Sequence, residues 1–230
     1  MRTSDSEFLQ ILNTVRNGEI SPSVVDFLNG RKVPHINDDL TCLFPHRQSV
    51  DEYNITKLEN IRHPLRSFQT TYEGKAKDIE AFRKHAPIPE VLTLKKDALV
   101  MLRQNDPQGR WANGSVGHIR KITDSELSIQ LLGGFRVDVE KSEFTLLNAD
   151  GTPVVRATNF PLNLAWAMTI HKSQGTTLDS MRVNLKKIWE PGQAYVALSR
   201  ARSPDGIFIE DWSPRSILAD PQVKQFHGSL

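Results

Sequence analysis

The sequence predicts an α/β domain interrupted by a smaller, antiparallel β domain. Three observations point there. Short apolar strands alternate with helix-like segments near both ends of the chain. Between about 92 and 150 the texture changes to short alternating runs parted by glycine turns. The length of 230 residues gives room for one large domain or two small ones.

Residues 6–17 read as an amphipathic helix, because Phe8, Ile11, Leu12 and Val15 recur at helical spacing. Ser21 and Pro22 suit an N-cap and a first helical position, and Gly30 suits the stop of that helix. Residues 39–44 (DLTCLF) form a short apolar strand. PHRQSVDEYN follows as a helix with Pro45 near its start. The β texture then brings ALVML (98–102), VGHIRKI (116–122), LSIQLL (127–132) and FRVDV (135–139). Leu127, Ile129 and Leu131 share one face at period two. Asn113-Gly114, Gly133-Gly134 and Asp150-Gly151 mark turns, so a small antiparallel β-barrel is expected. After 156, LNLAWAMTI (162–170) reads as one buried strand, HKSQGTT as a polar loop and MRVNL (181–185) as a strand. PGQAYVALSRAR (191–202) reads as a helix opened by Pro191, and GIFIE (206–210) as a last strand. Residues 214–230 fit either a C-terminal helix or a loose tail.

Composition narrows the function class. Hydrophobic residues are 38% and charged residues 24%, the balance of a folded globular chain. No run of about 18 apolar residues supports a membrane partner, and MRTSDSEF carries no secretory h-region. The single cysteine, Cys42, excludes an intramolecular disulfide framework and fits a reducing compartment. The seven histidines are scattered, and no metal-binding cluster is expected. Net charge is only +2, yet residues 156–202 hold seven basic and two acidic side chains. That segment suits either a phosphate-bearing partner or an ordinary solvated face.

Three stretches carry the argument, the first being DLTCLFPHRQSVDEYN (39–54). In AWAMTIHKSQGTTLD (165–179), a strand ends in Thr169, His171, Lys172, Ser173, Gln174 and Gly175. Open α/β sheets bind ligands at the carboxyl ends of their strands, and these side chains supply donors for phosphate oxygens. In GQAYVALSRARS (192–203), Gln193 and Arg200 stand seven residues apart, on one face of the expected helix. An arginine held rigidly there suits neutralisation of charge on a transferring phosphoryl group.

These residues resemble the second motor domain of superfamily 1 DNA helicases of the RecD/Pif type. TIHKSQG looks like that family's motif V, YVALSRAR like motif VI and LFPHRQSVDEYN like motif IV. MRTSDSEFLQILNTVRNGE resembles the segment after motif III, and KKDALVMLRQN…RWANGSVGHI the inserted small barrel. The resemblance implies an α/β RecA-like motor domain of the P-loop NTPase type, built from residues 1–91 and 156–230. It implies a small antiparallel β-barrel inserted at 92–155. The P-loop half is lacking.

The same resemblance implies roles. Arg200 matches the arginine that reaches the γ-phosphate of ATP. Arg2 falls where the group often has an arginine finger. Gln174, Gly175, Arg47 and Gln193 match positions bordering the nucleotide. Thr169, His171, Lys172 and Ser173 match the edge facing the phosphates of single-stranded DNA. From its own sequence context, Trp111, beside Asn113 in a turn, reads either as a surface aromatic available for base stacking or as a barrel-edge residue, whereas Trp166 lies inside an apolar strand and reads as core. The implied protein is an ATP-dependent helicase moving 5′ to 3′. The other reading is a non-catalytic module that binds single-stranded nucleic acid. No GxxxxGK(S/T) loop is present, and Gly74-Lys75 is followed by Ala76. ATP with Mg²⁺ is therefore expected only with the missing first motor domain, from the same gene or a separate chain. The isolated chain is expected to be inactive.

Overall fold

The structure, a computed structural model, describes residues 5–33 and 40–220. Arg2 and the end of the 214–230 segment lie outside the described residues. The chain forms two compact units, residues 1–54 with 166–230 and residues 55–165. The division thus falls at 54/55 and 165/166, where the sequence suggested 91/92 and 155/156.

In the first unit, the helix Ser6–Arg16 buries Phe8, Ile11, Leu12 and Val15, as their spacing predicts. Asp5 caps it by accepting from the Phe8 N–H at 3.0 Å. The helix Pro22–Gly30 starts as expected, with Ser21 accepting from Val24 N–H and Pro22 at the first position. Four short strands then form a wholly parallel sheet. Its order is Ala167–Thr169, Thr41–Phe44, Met181–Val183, Ile207–Ile209. Cys42, Leu43, Ala167, Met181 and Val183 are all buried, which is why these strands read as continuous apolar runs. Burial pushes the Cys42 thiol up, so it stays protonated.

The helix Arg47–Glu59 closes one edge of that sheet through Asn54. The Asn54 amide donates to the Ala167 carbonyl and accepts from the Ala167 N–H, both at 2.9 Å. On the far side, Gly206 leads into the last strand. A Cβ there would collide with the Asp179 carbonyl oxygen, so only glycine permits this close approach.

The sequence reading took 162–170 as one strand. The structure breaks it. Leu162–Leu164 pairs antiparallel with Leu99–Leu102, whereas Ala167–Thr169 pairs parallel with Thr41–Phe44. The two pieces belong to different units, and the break falls at Ala165 and Trp166.

The second unit contains no closed barrel among the described residues, contrary to expectation. Its largest sheet has five antiparallel strands in the order Leu162–Leu164, Leu99–Leu102, Val116–Ile122, Glu126–Leu131, Arg136–Glu140. A three-stranded sheet joins Thr71–Gly74, Pro153–Asn159 and Ser142–Leu147. A pair joins Arg66–Gln69 to Val91–Leu94. Those last partners explain the shifted boundary: residues 66–74 pair only with strands of this unit. Leu127, Ile129 and Leu131 are buried on one face, as period two requires. Asn159 is fully buried and satisfied, donating to the Phe68 carbonyl and Thr70 Oγ1 and accepting from the Phe160 N–H.

The loop after Leu102 is organised by one carboxylate. Asp106 accepts from the backbone N–H groups of Gln108 and Arg110, and its two oxygens meet Arg110 Nε and Nη2 at 2.9 Å each. The Arg110 hydrogen bonds pull the Asp106 pKa down to about 2.

Two outcomes follow from these contacts. Asn54→Ala leaves a buried N–H and C=O unsatisfied and should cost about 2 kcal/mol or more, read by chemical denaturation. Because the folded Asp106 pKa lies below its unfolded value, its contribution is full above pH ~4 and is lost as pH falls from there through 2. Near-ultraviolet circular dichroism in acid should therefore show a transition that Asp106→Asn abolishes. An unchanged acid transition in the variant overturns the assignment.

Candidate nucleotide and strand site

The site is built at the carboxyl end of Ala167–Thr169. Beyond that strand the chain winds into a tight polar turn. Thr169 Oγ1 accepts from the Lys172 N–H at 3.1 Å, and the Thr169 carbonyl accepts from the Ser173 N–H at 3.0 Å. Ser173 Oγ donates to the Ile170 carbonyl at 2.6 Å. Gly175 then takes φ +83°, a left-handed conformation that L side chains rarely adopt. The turn sorts its side chains. His171, Lys172, Gln174 and Gly175 are exposed, while Thr169 and Ser173 are buried. Ser173 was expected to face the DNA phosphates. The structure corrects this: its hydroxyl is spent inside the turn.

The second wall is the segment around Gln193–Leu198, the observed helix. It is shorter than 191–202 and is followed by Ser199 and Arg200. Gln193 and Arg200 therefore do not share one helical face, because the helix ends before Arg200. The arginine is instead held by the helix end. Its Nε donates to the Val196 carbonyl at 2.9 Å and its Nη2 to Ser199 Oγ at 2.7 Å. Its Nη1 lies 3.4 Å from the Ser173 carbonyl of the first wall. Backbone bonds complete the seam: Leu178 N–H donates to the Arg200 carbonyl, and Arg202 N–H to the Leu178 carbonyl, both at 2.9 Å. Arg200 is only 6% exposed. Asp179, on the loop beside this seam, pairs with Arg202 at 2.8 Å. Ser199 is a positioning residue that the motif comparison passed over, although it adjoins Arg200 in sequence.

Other candidates fall as follows. Gln193 is buried; its Nε2 donates to Glu190, and its Oε1 has no hydrogen-bond partner. Arg47 is exposed and meets Asp51 at 3.4 Å in an open surface pair. Trp111 and Asn113 belong to the second unit. Trp111 is not the expected surface aromatic: its ring is buried beneath the Arg110 guanidinium, 4.7 Å from the ring centre. Asn113 is exposed, and its N–H donates to Asn105 Oδ1. Trp166 is buried, as its apolar neighbours suggested.

A rigid guanidinium and nearby amides suit a phosphate group. They do not suit a metal ion, and among the described residues no group of three His, Cys, Asp or Glu side chains gathers to hold one. The turn that resembles motif V and the segment that resembles motif VI are thus joined along one seam.

Comparison with known proteins agrees. No protein-family profile matches the chain. The chain is 44% identical to the ATP-dependent DNA helicase Pif1 of Bdellovibrio bacteriovorus, over 99% of its own length and 53% of the relative's. It is 34% identical to the ATP-dependent DNA helicase PIF1 of Danio rerio, over 100% of itself and 37% of that protein. The chain thus spans about half, or less, of the curated relatives it matches. The Bacteroides Pif1 crystal structure with ADP-AlF4 superposes with a TM-score of 0.87 at 26% identity, covering 100% of this chain and 54% of that one. Bacteroides Pif1 bound to single-stranded DNA gives 0.67 at 27%, covering 100% and 55%. The homologues of this chain are superfamily 1 DNA helicases of the Pif1 family, and it matches about half of their length or less.

Proposed function

We propose that the chain is the C-terminal motor part of an ATP-dependent 5′-to-3′ DNA helicase. In this reading the first unit is the RecA-like second motor domain, and residues 55–165 are its insertion. Arg200 serves the phosphoryl group of ATP, with Gln174, Gly175, Gln193 and Arg47 bordering the nucleotide. His171 and Lys172, exposed on the same turn, face the strand's phosphates. Arg2 takes the role of an additional finger.

The observation that carries this reading is the 3.4 Å approach of Arg200 Nη1 to the Ser173 carbonyl. It couples the nucleotide-facing arginine to the turn that presents His171 and Lys172. A guanidinium fixed before the reaction needs no reorganisation as charge develops on the phosphoryl oxygens. The coupling also gives the two ligands one shared mechanical element. The ADP-AlF4 and single-stranded DNA complexes of Bacteroides Pif1 support both ligands. Mg²⁺ would enter with ATP on ligands of the first motor domain, since the residues above supply none. The reading as a purely non-catalytic binding module is not favoured, because the homologues are ATP-dependent helicases.

The chain should hydrolyse no ATP alone and should restore DNA-stimulated hydrolysis when joined to its first motor domain. In the joined protein, Arg200→Ala should lower turnover by about 10³–10⁵, with strand affinity within a few-fold of the parent. Arg200→Lys should recover little, because a point charge does not replace the planar fork. Steady-state hydrolysis with a melting curve on each variant checks this. Hydrolysis by the chain alone, or Arg200→Ala within tenfold of the parent, overturns it.

A further inference from the structure

The parallel sheet sends three chain segments out at one edge. Ile170 N–H donates to the Phe44 carbonyl, so the Ile170–Gly175 turn and the Pro45–Arg47 segment leave side by side. The third segment follows Met181–Val183, on the other side of Thr41–Phe44, and runs through Leu185–Lys187 to Trp189. There the His46 and Trp189 rings meet, with centroids 4.7 Å apart and planes inclined by 40°. Trp189 remains 54% exposed, in contrast to the buried Trp111 and Trp166. A tryptophan so open, braced by a second ring, offers a free π-face at the edge where open α/β sheets bind ligands. Two cations adjoin the pair in the chain, Arg47 after His46 and Lys187 before Trp189, and both are exposed. The neighbouring Glu190 is engaged by Gln193.

We propose that His46 and Trp189 form a shelf that takes the π-face of a nucleobase, with Arg47 and Lys187 serving the attached phosphates. This rests on the function proposed above. Every base has a π-face, so such a shelf is indifferent to sequence. The base belongs either to the DNA strand or to the adenine nucleotide, and the test separates these sources.

The chain joined to its first motor domain, and its Trp189→Ala and Trp189→Phe variants, are titrated with three probes. These are an oligothymidylate of about 16 nucleotides, an abasic oligodeoxynucleotide of the same length, and ADP. Trp189→Ala should bind a base-bearing probe about 5- to 150-fold more weakly, with abasic binding and its salt dependence unchanged. Trp189→Phe keeps a ring and should stay within about threefold of the parent. Loss on oligothymidylate assigns the shelf to the strand, and loss on ADP alone assigns it to the nucleotide. Parent-like binding of both base-bearing probes by Trp189→Ala overturns the shelf. So does an equal loss on the abasic probe. A joined parent protein that binds no probe overturns the shelf together with the strand and nucleotide reading. Because Trp189 is a surface residue, the alanine variant should melt near the parent temperature, and the phenylalanine variant keeps the test valid if it does not.

Discussion

The strand Thr41–Phe44 has parallel partners on both sides. Parallel neighbours cannot be joined by hairpins, so every connection in this sheet must leave one edge and re-enter at the other. All four strands therefore release their following segments at the same edge. That constraint brings the Pro45–Arg47 segment, the Ile170–Gly175 turn and the approach to Trp189 to one side of the unit. The same constraint demands apolar side chains on both faces, which Cys42, Leu43, Ala167 and Val183 satisfy.

Within that frame, the principal polar feature is a buried arginine. Removing a guanidinium from water is costly unless its donors find acceptors. Here the acceptors are the Val196 and Ser173 carbonyls and the Ser199 hydroxyl. Two belong to the arginine's own helix end, and one belongs to the turn after Thr169. The arrangement makes one side chain a structural bridge between the two segments.

The second unit follows a different rule. Its antiparallel strands Arg136–Glu140 and Pro153–Asn159 bury alternate residues, and its loop 103–115 is closed by the polar bonds of Asp106. Trp111 is covered in that loop by Arg110, the same side chain that grips Asp106. A turn-like sequence around Asn113-Gly114 suggested an exposed ring. The carboxylate-centred fold of the loop places a guanidinium on it instead.

What the residues determined by themselves is local. The spacing of Phe8, Ile11, Leu12 and Val15, the Ser21-Pro22 start, the alternation of Leu127, Ile129 and Leu131 and the motif V and VI strings depend only on neighbours along the chain. Tertiary structure decided what depends on distant partners. Both halves of LNLAWAMTI are apolar, so no periodicity marks the break between a strand paired with Leu99–Leu102 and one paired with Thr41–Phe44. The strands Arg66–Gln69 and Thr71–Gly74 were unread because their partners lie at Val91–Leu94 and Pro153–Asn159, and pairing fixed their unit. The helix continues in pattern through Arg200, yet the bonds to Leu178 and Ser173 end it first. The His46–Trp189 contact spans more than a hundred residues of chain, and only the parallel order of the sheet brings the two rings together.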